Sequence, residues 1–308
     1  MLPPGVLVIL GPTASGKSAL ALRLARWWRG RGRAAEIINA DAMLVYRGLD
    51  IGTAKPTVAE RRQIPHHLID CCDLDQPFSV AQFQALARQA IAGCRRRGVQ
   101  PIVVGGSALY LRAIVDRFDF PPLNPGLRAS LEAELATVGP GPLHDRLRAI
   151  DPAAAAGILP GNGRRTVRAL EVIATTGCFR SRLPAPEYAL EPVVQIGLDL
   201  SRDRLDQRIG QRVEAMWAAG LVGEVAGLMR HGLREAPTAS RAIGYRQVMD
   251  FLDAKADEAA TKELIALRTR QFVRKQLAWW RRDRRIRWWS AEPAPDPGEM
   301  AASLPWQV

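Results

Sequence analysis

The chain has little cysteine, few histidines and no long hydrophobic run, and each shortage removes a class of function. Its four cysteines, Cys71, Cys72, Cys94 and Cys178, show no CxxC or Cys/His ligand spacing. An adjacent pair does not read as half of a zinc site, so reduced thiols in the cytosol are expected instead of a metal module. His66 and His67 have no partner at ligand spacing and are assigned no chemistry. Near the N-terminus only Val6 to Leu10 is continuously apolar, too short for a signal peptide or a bilayer span, so no membrane partner is expected and the location is read as cytoplasmic. Acidic residues are also in deficit, 31 against 43 Lys and Arg, which leaves a net charge of +12 and a surface that attracts polyanions. Much of that charge is arginine in an Ala-, Gly- and Pro-rich chain, so position has to decide its meaning. No internal repeat is present.

What is there suffices for a substantial core, since 47% of 308 residues are hydrophobic. Short apolar runs at Val6 to Leu10, Pro101 to Val104 and Val194 to Leu200 alternate with helical patterns. One of these patterns opens with a Ser79/Gln82 capping box and continues through Val80, Phe83, Leu86 and Ala90. Another carries Leu205, Ile209, Val213 and Met216. Alternation of this kind predicts an α/β fold with a parallel sheet flanked by helices. Residues 1–116 and 193–308 are expected to form that core, the latter helical to about Arg285. Residues 117–192, interrupted by prolines and without a strand pattern, are expected to be a helical insertion whose clearest helix runs from Arg165 to Thr176 and stops at Gly177.

Gly11-Pro12-Thr13-Ala14-Ser15-Gly16-Lys17-Ser18 matches G-x-x-x-x-G-K-[ST] and lies between a predicted strand and a predicted helix, the context this phosphate loop requires. Backbone amides and the positive helix end suit a phosphate, Lys17 adds a charge and the Ser18 hydroxyl suits Mg²⁺. The loop accepts a diphosphate as readily as ATP. After the second strand, Asp41 occupies a carboxyl end, where open α/β sheets place ligands, and is a candidate base.

The residues that follow are more specific. Asp41-Ala-Met-Leu-Val-Tyr46-Arg47-Gly48-Leu-Asp50-Ile-Gly52-Thr53-Ala-Lys55-Pro56 closely resembles the signature of the tRNA dimethylallyltransferases, D-S-x-Q-x-Y-[RK]-G-x-D-I-G-T-A-K-P. The resemblance continues in order through Pro65 to Asp70, Val104 to Tyr110, Arg165 to Glu171, Gly244 to Gln247 and Thr269 to Gln271. Ala42 stands where the family usually has serine, Leu44 where many members have glutamine, and Ser107 where threonine is usual. With no paired Cys and His beyond Trp289, the chain is similar to the bacterial form without a zinc finger.

The resemblance implies a P-loop NTPase-like core and transfer of a dimethylallyl group from dimethylallyl diphosphate to N6 of the adenine immediately 3′ of the anticodon. Gly11 to Ser18 would hold the diphosphate with Mg²⁺ on Ser18, and Asp41 would take the amino proton. Thr13 would touch the bridging oxygen and Arg202 would stabilise the leaving group, although Arg202 also reads as a plain surface charge. The flipped adenine needs a grip on the anticodon stem-loop. Arg270, Arg274 and Arg281 share one face of a basic, tryptophan-bearing segment, Leu267 to Trp289, whose tryptophans read as core rather than stacking residues. The expected tRNA contacts are Asp41, Ala42, Met43, Leu44, Ser107, Arg128, Arg164, Arg165, Arg168, Arg246, Arg270, Gln271 and Arg274, with the protein acting as a monomer. The rival readings are a P-loop small-molecule kinase, a transferase acting on free AMP and a non-catalytic NTPase.

Overall fold

A computed structural model describes residues 4–117, 119–180 and 183–306. The core begins with β1 (Val6–Leu10), α1 (Lys17–Arg29), β2 (Ala35–Asn39), α2 (Val58–Gln63), β3 (His66–His67), α3 (Val80–Arg96), β4 (Gln100–Gly105) and α4 (Ala108–Val115). The insertion contributes α5 (Pro125–Val138), α6 (Pro140–Ile150), α7 (Pro152–Ala156) and α8 (Gly163–Thr176). The core resumes with β5 (Val193–Asp199), α9 (Arg202–Ala218), α10 (Leu221–Met229), α11 (Tyr245–Leu252), α12 (Glu258–Trp280), β6 (Ile286–Ser290) and α13 (Pro297–Ala302).

The six strands form one parallel sheet in the order β3-β2-β4-β1-β5-β6. Central β1 is buried throughout and its side chains alternate between faces. Val6, Val8 and Leu10 pack with residues of α3, α4, α9, α11 and α12, whereas Leu7 and Ile9 pack with Leu20, Leu24 and Trp28 of α1 and Met300 of α13. Each fully buried aliphatic side chain of this kind contributes roughly 1.5–3 kcal/mol. The sheet is thus covered on both faces, and the carboxyl ends of β1, β2 and β4 are left to carry the loops that form the site.

Helix α3 opens with the Ser79/Gln82 capping box as read from sequence, but it buries Phe83, Ala87, Ile91 and Cys94 and leaves Leu86 exposed. Helix α12 ends at Trp280, short of Arg285, because the following turn is fixed by Asp283 and Arg285. Arg285 donates to Asp283 and to the fully buried Asp116, at 2.7 and 2.6 Å. Ile286 to Ser290 then pair with β5 as an edge strand. Trp288 packs on one core cluster and Trp289 on the other. Trp280 is buried, while Trp279 is 51% exposed, so core packing describes the other three but not Trp279.

Residues 118–187 form the separate unit, not 117–192. Residues 188–192 belong to the core: Tyr188 bridges Asp116, Ala189 N–H donates to the Val115 carbonyl at 2.7 Å, and Val6 N–H donates to that of Pro192 at 2.8 Å. Within the insertion, Leu131, Leu143, Leu147, Ile158, Val167 and Leu170 make a small core of their own. Helix α8 is capped by Asn162 and ends at Gly177 in the left-handed conformation.

The fully buried Glu171 organises this unit. It accepts from Asn124 N–H at 2.9 Å, from Arg128 Nε at 3.0 Å and from Arg168 at 2.9 Å. Burial raises its pKa, but the Asn124 amide and the two guanidinium groups outweigh burial and hold it below the ordinary carboxylate value. Glu171→Ala should lower the stability of the insertion by about 2 kcal/mol, discounted for the partial exposure of both arginines, as read by urea denaturation. Because the folded pKa is depressed, the carboxylate's contribution is present above the unfolded value and is lost as pH falls through the folded one, a loss the variant should not show.

Candidate active site

The β1–α1 loop is shaped to bind an anion. Gly16 caps α1 with φ 88°, a conformation that costs glycine nothing, and Ser15 N–H donates to the Pro12 carbonyl at 3.1 Å, closing the turn. The first-turn amides of Lys17, Ser18 and Ala19 have no carbonyl available within the helix and form its positive end. Lys17 reaches the Pro12 carbonyl at 3.5 Å. Burial drives its pKa down to about 8, with Asp41 favouring the charged form and Arg212 opposing it.

Asp41 follows β2 and is held by an Asx turn. Its N–H donates to Asn39 Oδ1 at 2.8 Å, and its Oδ1 accepts from Met43 N–H at 2.9 Å. Asn39 Nδ2 donates in turn to the carbonyls of Asp41 and Leu68, both at 2.9 Å. The carboxylate is therefore fixed by its own neighbours.

The later part of the 41–56 signature is braced by buried and half-buried polar groups. Lys55 is buried and donates to Asp70 at 2.5 Å and to the Tyr46 carbonyl at 2.9 Å, and pairs with Asp50 at 2.6 Å. Glu224 of α10 accepts from the backbone N–H groups of Asp50, Ile51 and Gly52 at 3.2, 2.7 and 3.3 Å, and from the Tyr245 hydroxyl at 2.6 Å. Gly52 has no room for a side chain, since a Cβ would lie 2.5 Å from the Tyr245 ring. This clamp presents Thr53, whose carbonyl accepts from Arg212 at 3.2 Å.

Two cavities open beside the loop. The first, about 430 Å³, is lined by loop residues with Leu44, Lys55, His66, Arg208 and Arg212. The second, about 440 Å³ and largely apolar, is lined by Ala42, Met43, Ser107, Ile209, Val213 and Phe272, among others. Thr13, Asp41, Thr53 and Arg212 line both.

Arg202 is not at this junction. It is exposed and lies outside both cavities, because six residues along α9 turn it about 120° away from Arg208. Arg208 and Arg212, one turn apart on the cavity-facing side of α9, line the first cavity instead, and Arg212 the second as well. Arg208 donates to the Ala14 carbonyl at 3.4 Å and to Glu292 at 2.9 Å. The i, i+4 pair of arginines on the helix after β5 was the sequence signal for them; nothing local signalled Glu224.

The expected RNA contacts are dispersed. Arg246 is exposed on α11 outside both cavities, whereas Thr269 and Phe272 of α12 line the second. On the same helix Arg274 is exposed, and Arg270 and Gln271 are half-buried, Gln271 accepting from Arg268 at 3.2 Å. In the insertion, Arg128 and Arg168 are tied to Glu171, while Arg164 and Arg165 are exposed. His67, without a partner in sequence, lies 2.7 Å from Glu36, which also accepts from Arg97 at 2.6 Å and from the Cys94 thiol at 3.2 Å. Burial, reinforced by Glu36, pushes that thiol up to about 12.

Residues 44–283 match the family model described as IPP transferase. The chain belongs to this family. It is 53% identical to the tRNA dimethylallyltransferase of Kineococcus radiotolerans over 96% of this chain and 94% of that one. It is 52% identical to the enzyme of the same name from Cutibacterium acnes, over 94% and 91%. Among solved structures, the tRNA isopentenylpyrophosphate transferase of Bacillus halodurans superposes with a TM-score of 0.66 at 38% identity, covering 93% of this chain and 89% of that one. A eukaryotic dimethylallyltransferase acting on tRNA superposes at 0.77 with 27% identity, covering 94% and 74%. The position of the arginines within this family fold carries a direct test. Arg208→Gln and Arg212→Gln should each weaken binding of inorganic diphosphate by about tenfold or more, the value of a charge-assisted hydrogen bond. Arg202→Gln should stay within about twofold, as read by calorimetry.

Proposed function

We propose that the protein is a tRNA dimethylallyltransferase, moving the dimethylallyl group of dimethylallyl diphosphate to N6 of the adenine immediately 3′ of the anticodon. The observation that carries this reading is the junction of a cationic phosphate cavity with an apolar one at Asp41, Thr13, Thr53 and Arg212. A kinase would need no apolar chamber of this size against its loop, and the relatives by name point to tRNA.

In this reading the diphosphate lies against the loop amides, Lys17, Arg208 and Arg212, and the five-carbon chain points to the junction. The adenine, flipped from its loop, enters the second cavity. The N6 lone pair forms the C–N bond as the allylic C–O bond breaks, the electron pair leaves with diphosphate, and Asp41 takes the N6 proton. Lys17 and the two arginines stabilise the charge that builds on the leaving group, and Thr13 sits against the bridging oxygen. Ser18, an oxygen donor in the first turn of α1, suits a hard cation whose other ligands are phosphate oxygens and water. Bound Mg²⁺ would neutralise charge on the leaving diphosphate.

The acceptor surface runs along α12 at the edge of the second cavity. Phe272 and Trp279, both exposed, are seven residues apart and share a helix face with Arg268 and Lys275. Aromatic platforms among cations hold unpaired bases and their phosphates. Ala42 and Met43 line the base cavity with apolar surface in place of a serine hydroxyl, and in the insertion Arg164 replaces Arg128 and Arg168 as the RNA contact. The protein acts as a monomer.

Purified protein with dimethylallyl diphosphate, Mg²⁺ and an anticodon stem-loop should yield prenylated RNA and diphosphate, with AMP a very poor acceptor. Phosphorylation of a metabolite from ATP without prenyl transfer would overturn the assignment. Asp41→Asn should lower the single-turnover rate by about 10²–10⁴ while stem-loop affinity changes by no more than a few-fold. Replacing Arg270 and Arg274 with glutamine should flatten the salt dependence of binding, by about 0.7 log units per log unit of salt for each phosphate that the variant no longer neutralises. Trp279→Ala should instead weaken binding by about tenfold at every salt concentration without changing the slope.

A further inference from the structure

Gln276 is a buried polar residue on the inner side of α12, 5% exposed. Its Oε1 accepts from Thr13 N–H at 3.1 Å, and its Nε2 donates to the Gly106 carbonyl at 2.6 Å. Thr13 belongs to the β1 loop and Gly106 to the turn after β4, so one side-chain amide joins three elements far apart in sequence. The fit leaves no slack: a Cβ on Gly106 would lie 2.6 Å from Gln276 Nε2 and 3.6 Å from Lys17 Nζ. The loop has few restraints of its own. Its internal turn is closed by the Ser15 to Pro12 bond, and Ala14 is held at φ 69°, where an L-residue is strained. Thr13 N–H points at Gln276, so it is not among the donors left for a phosphate.

We infer that Gln276 is a positioning residue for the transfer: it fastens the donor loop to the helix that lines the acceptor cavity, and so sets Thr13 and Lys17 relative to the incoming base. Two turns before Gln276, α12 places Thr269 on the wall of the second cavity; Phe272, one turn before it, is on the same wall. The acceptor wall and the donor loop therefore share one rigid support, and the amide is the polar link between them. This inference rests on the reading that the loop takes the diphosphate of the donor.

The test uses the full chain with inorganic diphosphate and an anticodon stem-loop as probes. Gln276→Met keeps the length and removes both hydrogen bonds. It should weaken diphosphate binding and raise the donor KM by about tenfold, as expected when one or two hydrogen bonds are removed, with the stem-loop Kd and KM within twofold of the unaltered protein. Gln276→Glu, which keeps an oxygen for Thr13 N–H, should recover part of the diphosphate affinity. If the methionine variant does not fold, the glutamate variant carries the test, with a loss of about threefold or more in diphosphate affinity and unchanged stem-loop binding. Unaltered diphosphate affinity overturns the inference. So does a parallel loss of diphosphate and stem-loop binding, which marks Gln276 as general packing. If the unaltered protein fails to bind diphosphate, the donor-loop reading falls and takes this inference with it, whereas normal binding with an insensitive variant removes this inference alone.

Discussion

Lys17 and Arg212 are brought together at half-buried positions with Asp41 as the carboxylate whose charge acts on both. Burial pulls both cations below their ordinary pKa values, and Asp41 only partly offsets it. Positive charge concentrated in this way is unfavourable in the empty protein and becomes favourable when an anion with several negative charges enters. The cation-lined chamber is therefore the feature around which the rest of the core is arranged.

Holding like charges together requires a rigid frame, and the frame is built from buried and half-buried polar groups whose hydrogen bonds are made within the core. Glu224 gathers three consecutive backbone amides, Lys55 bridges Asp50 and Asp70, and Gln276 ties the β1 loop to the β4 turn. Each removes freedom from a loop that would otherwise follow the repulsion among the cations. This explains why the 41–56 signature is long: Asp50, Gly52 and Lys55 hold the frame, and Asp41 and Thr53 line both cavities. The same logic separates the arginines of the insertion, where Arg128 and Arg168 hold Glu171 and Arg164 reaches solvent.

Much of this was legible along the chain because it depends on local pattern. The phosphate loop is a contiguous string between a strand and a helix, and Asp41 follows its strand within two residues. The central strands appear as unbroken apolar runs because parallel strands are buried on both faces. Two strands escaped that reading. His66–His67 is two residues long, and Ile286–Ser290, with one arginine and two adjacent tryptophans, lies within a basic stretch that continues a helical pattern, so only pairing with the edge of β5 makes it a strand.

By itself the sequence determined the fold class, the glycine-rich loop between the first strand and helix, the carboxylate after the second strand and the kinship with tRNA-modifying transferases, since each resides in residues close together in the chain. The tertiary structure decided which arginines line the cavity beside the β1 loop, which tryptophan stays in solvent and which distant side chains hold the loops. Arg208, Glu224 and Gln276 lie between 170 and 263 residues from their backbone partners. Their roles follow from helix phase and from the packing of α9, α10 and α12 against the sheet, and neither composition nor local spacing encodes which face of a helix will be turned toward a loop that distant in the chain.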